Sequence, residues 1–332
     1  MKLITKKIIS LTVILNFYLC ILVTSANAND DFKIWLASFK NFAISEGISK
    51  KTINIVFKNI KFMEQVLRYD KKQPEFFEDT LTYVSKRATA GRAKTGKKLY
   101  VKNKSLFLEV ENKFFVEKEI LLALWGIETN FGKHVGKMDI ISSLATLSYD
   151  KRRRDFFTAQ LITLLKLIDG NLLDPETLYG SWAGAYGNFQ FMPSTIKNYA
   201  IDYDGNNKIE LKKSINDSLA SAANYISSIG WKKDTPCFYR VILTKKINKK
   251  YINSSARTIS NRLKLNIWKK KGIVSYDGSD LNSNFKAALI LPDGNDESPA
   301  YLVFSNYEKI LKWNRSLRFG ISVCTLAQMI KT

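Results

Sequence analysis

Histidine is almost missing from this 332-residue chain, which has one, and cysteine and proline are sparse at three and six. Acids are scarce relative to bases, with 30 Asp and Glu against 52 Lys and Arg. A single histidine, His134, excludes zinc centres built from several histidines and makes any Ser-His-Asp or Cys-His mechanism depend on that one residue. It stands between Lys133 and Val135 just after Gly132, which reads as a surface loop. Neither glycine-rich nucleotide fingerprint occurs. No long Pro/Gly/Ser linker and no repeat of solenoid period interrupts the chain. Any catalysis must therefore fall to acids and amides.

The one long apolar run lies at the start. A basic Met1-Lys2-Leu3-Ile4-Thr5-Lys6-Lys7 precedes an apolar stretch from Ile8 to Val23 and the small-residue segment Ser25-Ala26-Asn27-Ala28. That order predicts a secretory leader over 1–28, cleaved after Ala28, with export to the periplasm. The run is short for a membrane span of about 20 residues, and an uncleaved anchor, which would tie the protein to a membrane, is the competing reading. Formal charge is +22, and only Lys2, Lys6 and Lys7 would leave with the leader. Such a balance suits a polyanion: nucleic acid, a membrane surface or an acidic wall polymer. Export argues against nucleic acid, and a compositional bias toward Lys and Asn would give the same excess. After the leader, Cys237 and Cys324 remain. An oxidising compartment permits a disulfide, while Cys324, in an apolar C-terminal helix, can equally serve as a small hydrophobe.

Periodicity predicts an α+β chain that is mainly α. From Asp31 to about Phe115, Trp35, Phe39, Phe42, Ile53, Val56 and Phe57 recur at spacings of three and four, giving an N-terminal helical lobe over 29–115. A second helical region, 116–235, is richer in glycine and small residues near its middle. Over 236–305 the character changes to Val241-Ile242-Leu243, Ala288-Leu289-Ile290-Leu291 and Tyr301-Leu302-Val303-Phe304, split by Asp277-Gly278 and Pro292-Asp293-Gly294. This predicts a small antiparallel β lobe, with Cys237 in one of its strands. Residues 306–332 return to helical spacing and are expected to pack on the helical body.

Two segments combine functional groups with permissive backbone. In Leu124-Trp125-Gly126-Ile127-Glu128-Thr129-Asn130-Phe131-Gly132 a helix ends with a carboxylate among Trp125, Ile127 and Phe131. Enclosed by those side chains, Glu128 would have its charged form disfavoured and could act as an acid; a water-exposed glutamate at a helix end is the alternative. In Ser181-Trp182-Ala183-Gly184-Ala185-Tyr186-Gly187-Asn188-Phe189-Gln190-Phe191-Met192-Pro193, small residues let backbone approach a ligand while Ser181, Asn188 and Gln190 offer hydrogen bonds. That reads as a wall of a polar cleft or as a tight helix–helix contact.

Together these segments resemble the membrane-bound lytic murein transglycosylase B family, glycoside hydrolase family 103. Further ordered matches are Trp35, Glu46-Gly47-Ile48-Ser49, Gln73-Pro74-Glu75-Phe76, Gly136-Lys137, Leu144-Ala145-Thr146-Leu147, Arg152-Arg153, Ala223-Asn224-Tyr225 and Asn314-Arg315-Ser316. The resemblance implies a lysozyme-like helical catalytic core over 116–235 and cleavage of peptidoglycan glycan strands by a monomer. It further implies that Glu128 protonates the bond between N-acetylmuramic acid and N-acetylglucosamine, then takes the C6 hydroxyl proton to leave a 1,6-anhydro sugar. Hydrolysis by a muramidase, or wall binding without catalysis, is the alternative. By position, Ser181, Gln190 and Asn314 resemble substrate-orienting groups, Tyr83 and Tyr225 resemble cleft tyrosines, and Arg152 and Arg153 resemble residues facing stem peptides. The chain departs from the family at Tyr186, where Met is common, and at Trp313 and Phe319, where Tyr is common. Trp313 and Phe319 are expected to keep an aromatic face for sugar stacking.

No cofactor is expected to be required, with one candidate ion. Asp202, Asp204, Asn206 and the Lys208 carbonyl alternate as in the first half of an EF-hand calcium loop, with Ile209 as the apolar anchor. Lys213 stands where a bidentate Glu would close the loop. The residues alone favour a plain Asx-rich turn; the resemblance implies closure of a structural Ca²⁺ site by Asp217.

Overall fold

A computed structural model of the chain describes residues 29–72, 77–281 and 284–331. The expected leader, 1–28, and the Gln73–Phe76 match lie outside them. The helices in chain order are α1 (29–45), α2 (Lys50–Val56), α3 (Glu64–Lys71), α4 (Thr80–Arg87), α5 (Ala90–Lys102), α6 (Lys104–Phe114) and α7 (Lys118–Thr129). They continue as α8 (Ile140–Tyr149), α9 (Arg154–Asp169), α10 (Pro193–Tyr199), α11 (Ile215–Ser228), α12 (Leu265–Lys270), α13 (Ser305–Trp313) and α14 (Leu317–Lys331). The short strands β1 (Met138–Asp139) and β2 (Tyr179–Gly180) pair antiparallel. The remaining strands are β3 (Phe238–Leu243), β4 (Ile252–Asn253), β5 (Leu263–Lys264), β6 (Ile273–Ser275), β7 (Lys286–Ile290) and β8 (Ala300–Val303). Among the described residues no helix is long and apolar enough to cross a membrane.

The chain divides into two compact units, each built from two separate segments. One takes the described residues up to Asp70 with Met138–Gly184; the other takes Lys71–Lys137 with Ala185–Thr332. The expected contiguous lobes differ from this because periodicity says that a helix buries one face, not which partner covers it.

In the first unit, α8 packs on α9 through Leu144, Leu147, Phe157, Leu161, Leu164 and Leu165, all fully or almost fully buried. The α1 stripe of Phe32, Trp35 and Phe39 stacks ring on ring, Trp35 to Phe39 at 5.0 Å. Hydroxyls take up the backbone between α2 and α3: Ser142 Oγ accepts from Lys61 N and Thr146 Oγ1 from Met63 N, each at 3.0 Å.

The second unit is organised on α14, buried along nearly its whole length and packed on α4, α5, α7 and α13. Gly126 allows that approach, since a Cβ there would lie 2.8 Å from Phe131 Cζ and 3.3 Å from Leu326 Cδ2. The six-stranded sheet runs β4-β7-β8-β3-β6, with β5 also on β7. Trp268, 0% exposed, anchors its core among Leu265, Leu289, Leu302 and Phe304, and its indole N–H donates to Ala287 O at 2.8 Å. The β lobe is antiparallel as expected except for β4, which pairs parallel with β7. A long connection through β5, α12 and β6 separates those two strands, as parallel pairing requires, and a two-residue strand leaves too little pattern to reveal it. Cys237, which immediately precedes β3, is bridged to Cys324 in α14 with Cα atoms 6.0 Å apart. Of the two readings of these cysteines, the disulfide is the one realised.

Candidate active site

Leucine, alanine and glutamate favour helix through α7, and the chain then leaves it through three consecutive left-handed residues, Asn130, Phe131 and Gly132 at φ 50°, 59° and 82°. Asn130 N donates to Gly126 O and Phe131 N to Trp125 O, which satisfies carbonyls of the last turn. A Cβ on Gly132 would fall 2.6 Å from Asn188 Oδ1, so glycine is required there twice over. This unwinding leaves Glu128 in the last turn of α7, partly buried. His134 is exposed beyond it, as expected of a loop residue.

Behind that turn lies Asn188, only 6% exposed. Its Oδ1 accepts from Trp125 Nε1 at 3.1 Å. Its amide hydrogens serve Leu211 O, Lys212 O and Ser218 Oγ, all within 3.2 Å. Thr129 Oγ1 donates to its carbonyl at 2.8 Å. Asn188, read from the sequence as a cleft-wall group, instead faces inward and fastens the end of α7 to the loop before α11. Gln190 holds a left-handed backbone, φ 50°, and its Nε2 donates to Gly187 O at 2.9 Å and Val135 O at 3.1 Å.

Facing Glu128 is Trp313, the last residue of α13, whose Nε1–H donates to Glu128 Oε1 at 2.9 Å. The indole stacks on Tyr225, centroids 5.1 Å apart at 30°, and Tyr225 in turn stacks on Tyr199 at 4.5 Å. Phe191 and Phe189 meet the indole edge-on at 5.3 and 6.2 Å. The Tyr225 hydroxyl donates to Lys312 O at 3.1 Å, and burial pushes its phenol up to about 12. Trp313 was expected to offer a sugar a face in place of a lost hydroxyl. One of its faces is occupied by Tyr225, and its N–H supplies a donor to Glu128 that no spacing in the sequence announces. Asn314 follows as the half-buried C-cap of α13. Phe319 is 3% exposed and cannot stack on a ligand. Tyr83 is 1% exposed with the Arg87 guanidinium 3.4 Å over its ring, so it offers no open face either.

Three expected residues belong to the first unit. Ser181 lies in the turn after β2 and its Oγ accepts from Ala183 N. Arg152 donates through Nε to Asp70 Oδ2 at 2.8 Å and through Nη2 to Asp70 O at 2.9 Å, and Arg153 reaches Asp70 Oδ1 at 3.5 Å. Both arginines thus neutralise a carboxylate that is only 4% exposed, while remaining part of the wall of a shallow pocket with Lys151, Arg154, Asp155 and Phe156.

The Asp202, Asp204 and Asp217 carboxylates of the second unit bring oxygens within 4.8 Å of one another. Two oxygens bound to one calcium ion at about 2.4 Å can stand at most that far apart, so the three acids fit such an ion. Asp217, 0% exposed, accepts from Tyr203 N and Glu210 N. Asp202 accepts from Gly205, Asn206 and Asn207 N, and Asn206 Oδ1 accepts from Lys208 N. The Asx turn and the converging acids are therefore one structure, not alternatives.

A mainly helical body carrying a lone glutamate at a helix end, with a small β lobe, is a lysozyme-like arrangement. Residues 31–328 match the transglycosylase SLT domain, and the chain belongs to that family. It is 30% identical over 218 residues to membrane-bound lytic murein transglycosylase B of Escherichia coli, a match covering 65% of this chain and 57% of the relative. The chain thus spans little more than half of that relative's length. The crystal structure of SltB3 from Pseudomonas aeruginosa in complex with NAG-anhNAM-pentapeptide superposes with a TM-score of 0.82 at 33% identity, covering 90% of this chain and 79% of SltB3. The Escherichia coli lytic transglycosylase Slt35 in complex with calcium gives 0.73 at 25% identity, covering 91% and 93%.

Proposed function

We propose that this protein is a lytic transglycosylase that cleaves the β-1,4 bond between N-acetylmuramic acid and N-acetylglucosamine in peptidoglycan and releases 1,6-anhydro ends. The observation that carries the reading is Glu128, held in the last turn of α7 by Trp313 Nε1 within an aromatic surround. That SltB3 was crystallised with an anhydromuramyl fragment supports the same product here. Glu128 gives its proton to the glycosidic oxygen as the C1–O bond breaks, and the bonding pair leaves with that oxygen. The carboxylate so formed removes the C6 hydroxyl proton while O6 bonds to C1. One residue serves as acid and then base, and the substrate's N-acetyl carbonyl can replace a second carboxylate at C1, an exception to paired-carboxylate hydrolysis. Gln190, Asn314 and Ser181 are proposed as substrate-orienting residues, and Tyr225 as the support of the Trp313 indole.

The substrate partner is the glycan strand itself, met by a periplasmic monomer whose leader is removed. The excess of 52 bases over 30 acids suits an anionic wall polymer. Asp202, Asp204, Asn206, Lys208 and Asp217 are proposed to hold a structural Ca²⁺, a reading supported by the crystallisation of Slt35 with calcium.

Product analysis tests the activity. Murein sacculi digested by the purified protein should yield anhydromuramyl ends by mass spectrometry, and Glu128→Gln should abolish them. Reducing muramic ends alone would make the protein a hydrolase, and unchanged activity in the variant would remove Glu128 from the mechanism.

A further inference from the structure

We propose that Trp313 is a positioning residue that divides the labour between the two oxygens of Glu128, keeping Oε1 as a permanent acceptor and leaving the transferable proton to Oε2. The inference rests on the reading of Glu128 as the acid/base. An indole N–H donates and never accepts, and it does not titrate in the range where proteins fold. Its bond to Oε1 at 2.9 Å is therefore compatible with both protonation states of Glu128 only if Oε1 presents a lone pair in each. In the acid form a carbonyl oxygen is a better acceptor than a hydroxyl oxygen, so the proton is held on Oε2. After transfer to the glycosidic oxygen, the carboxylate keeps Oε1 on the indole and receives the C6 hydroxyl proton on Oε2. Proton departure and return thus use one oxygen and need no rotation of the carboxyl group.

The geometry is held from three sides. Tyr225 covers one face of the indole at 5.1 Å and is itself backed by Tyr199 at 4.5 Å. Phe191 and Phe189 abut its edges. The Tyr225 hydroxyl donates to the carbonyl of Lys312, the residue before Trp313, and so fixes the end of α13 from which the indole projects. An indole wedged in this way aims its N–H along one line, which is the preorganisation that an orienting donor needs.

The test compares wild type, Trp313→Phe and Trp313→Tyr on soluble, uncrosslinked glycan strands. Phenylalanine keeps an aromatic wedge and loses the donor; tyrosine offers a hydroxyl that can accept as well as donate. Trp313→Phe should lower kcat by about tenfold to a hundredfold, the range expected for losing a hydrogen bond to a charged group, with KM changed by less than about threefold. Trp313→Tyr should recover part of kcat. A second arm does not depend on turnover: in nitrogen-15 spectra of the full chain, the Trp313 indole resonance, identified by its absence from Trp313→Phe, should move upfield in Glu128→Ala. Wild-type kcat in Trp313→Phe, a loss confined to KM, or an indole resonance indifferent to Glu128→Ala would each overturn the proposal. If wild type makes no anhydro ends while the resonance still responds to Glu128, the pairing stands and the activity reading falls.

Discussion

Replacing Asn188 by aspartate should destabilise the protein at least as much as replacing it by alanine, although aspartate is nearly the same size. Asn188 is 6% exposed, and its side chain accepts one hydrogen bond, from Trp125, while its NH₂ group is shared among two carbonyls and the Ser218 hydroxyl. Truncation leaves the Trp125 N–H buried without its acceptor and removes the side-chain donor from Lys212 O, while Leu211 O keeps the Asn188 backbone N–H and the Ser218 hydroxyl. At about 1 kcal/mol for each lost bond plus the penalty of stranded polar groups, Asn188→Ala should cost about 3–5 kcal/mol, or roughly 6–15 °C in Tm. Aspartate keeps the acceptor for Trp125 but turns an oxygen toward Leu211 O and Lys212 O, which are acceptors themselves. The mismatch is relieved only when that oxygen is protonated, so Asn188→Asp should regain stability as the pH is lowered toward 4, unlike Asn188→Ala. Thermal melts by circular dichroism across pH decide the matter. An Asn188→Asp protein melting within about 2 °C of wild type at neutral pH would refute the network as the reason for asparagine, because that shift is under about 1 kcal/mol at this size.

Alkali should unfold the protein in a window set by its phenols. Burial pushes Tyr203, Tyr225 and Tyr301 up to about 12 from 10.0, so their contribution is complete below pH 10 and is lost as the pH rises toward 12. Tm measured across that window should fall less steeply in Tyr225→Phe. Millimolar Ca²⁺ should raise Tm through Asp202, Asp204 and Asp217, chelation should reverse the gain, and the exposed-site variant Asp204→Asn should show a much smaller rise. Equal responses in the two proteins would dismiss the loop as a calcium site.

Much of this fold can be read before any coordinates because the residues themselves change register. Heptad-like spacing around Trp35 and Phe39 gives helices, and β-branched runs split by Asp277-Gly278 give strands. Glu128 could be singled out because it follows Trp125 and Ile127 and precedes Phe131 at the end of an apolar helix. Trp313 could not be assigned its role that way: its partner lies 185 residues away, and an aromatic beside Asn314 suggests a stacking face as readily as a donor. Tyr83 and the pair Arg152 and Arg153 show the same limit, since motif position is blind to burial and to the Asp70 carboxylate that engages both guanidinium groups. The parallel strand β4 and the two-segment units depend on tertiary pairing alone.

The Cys237–Cys324 bridge closes a segment of 87 residues that contains the whole sheet, and its second cysteine lies in the last described helix. A chain emerging from its N-terminus therefore completes α7, and with it Glu128, long before the thiol that locks α14 behind that helix can be oxidised. By loop-closure entropy a bridge of this span is worth about 4–5 kcal/mol once formed. Assembly of the site thus has a chronology: the reactive carboxyl is synthesised early, and its backing is secured only after the whole six-stranded sheet and α14 have followed it.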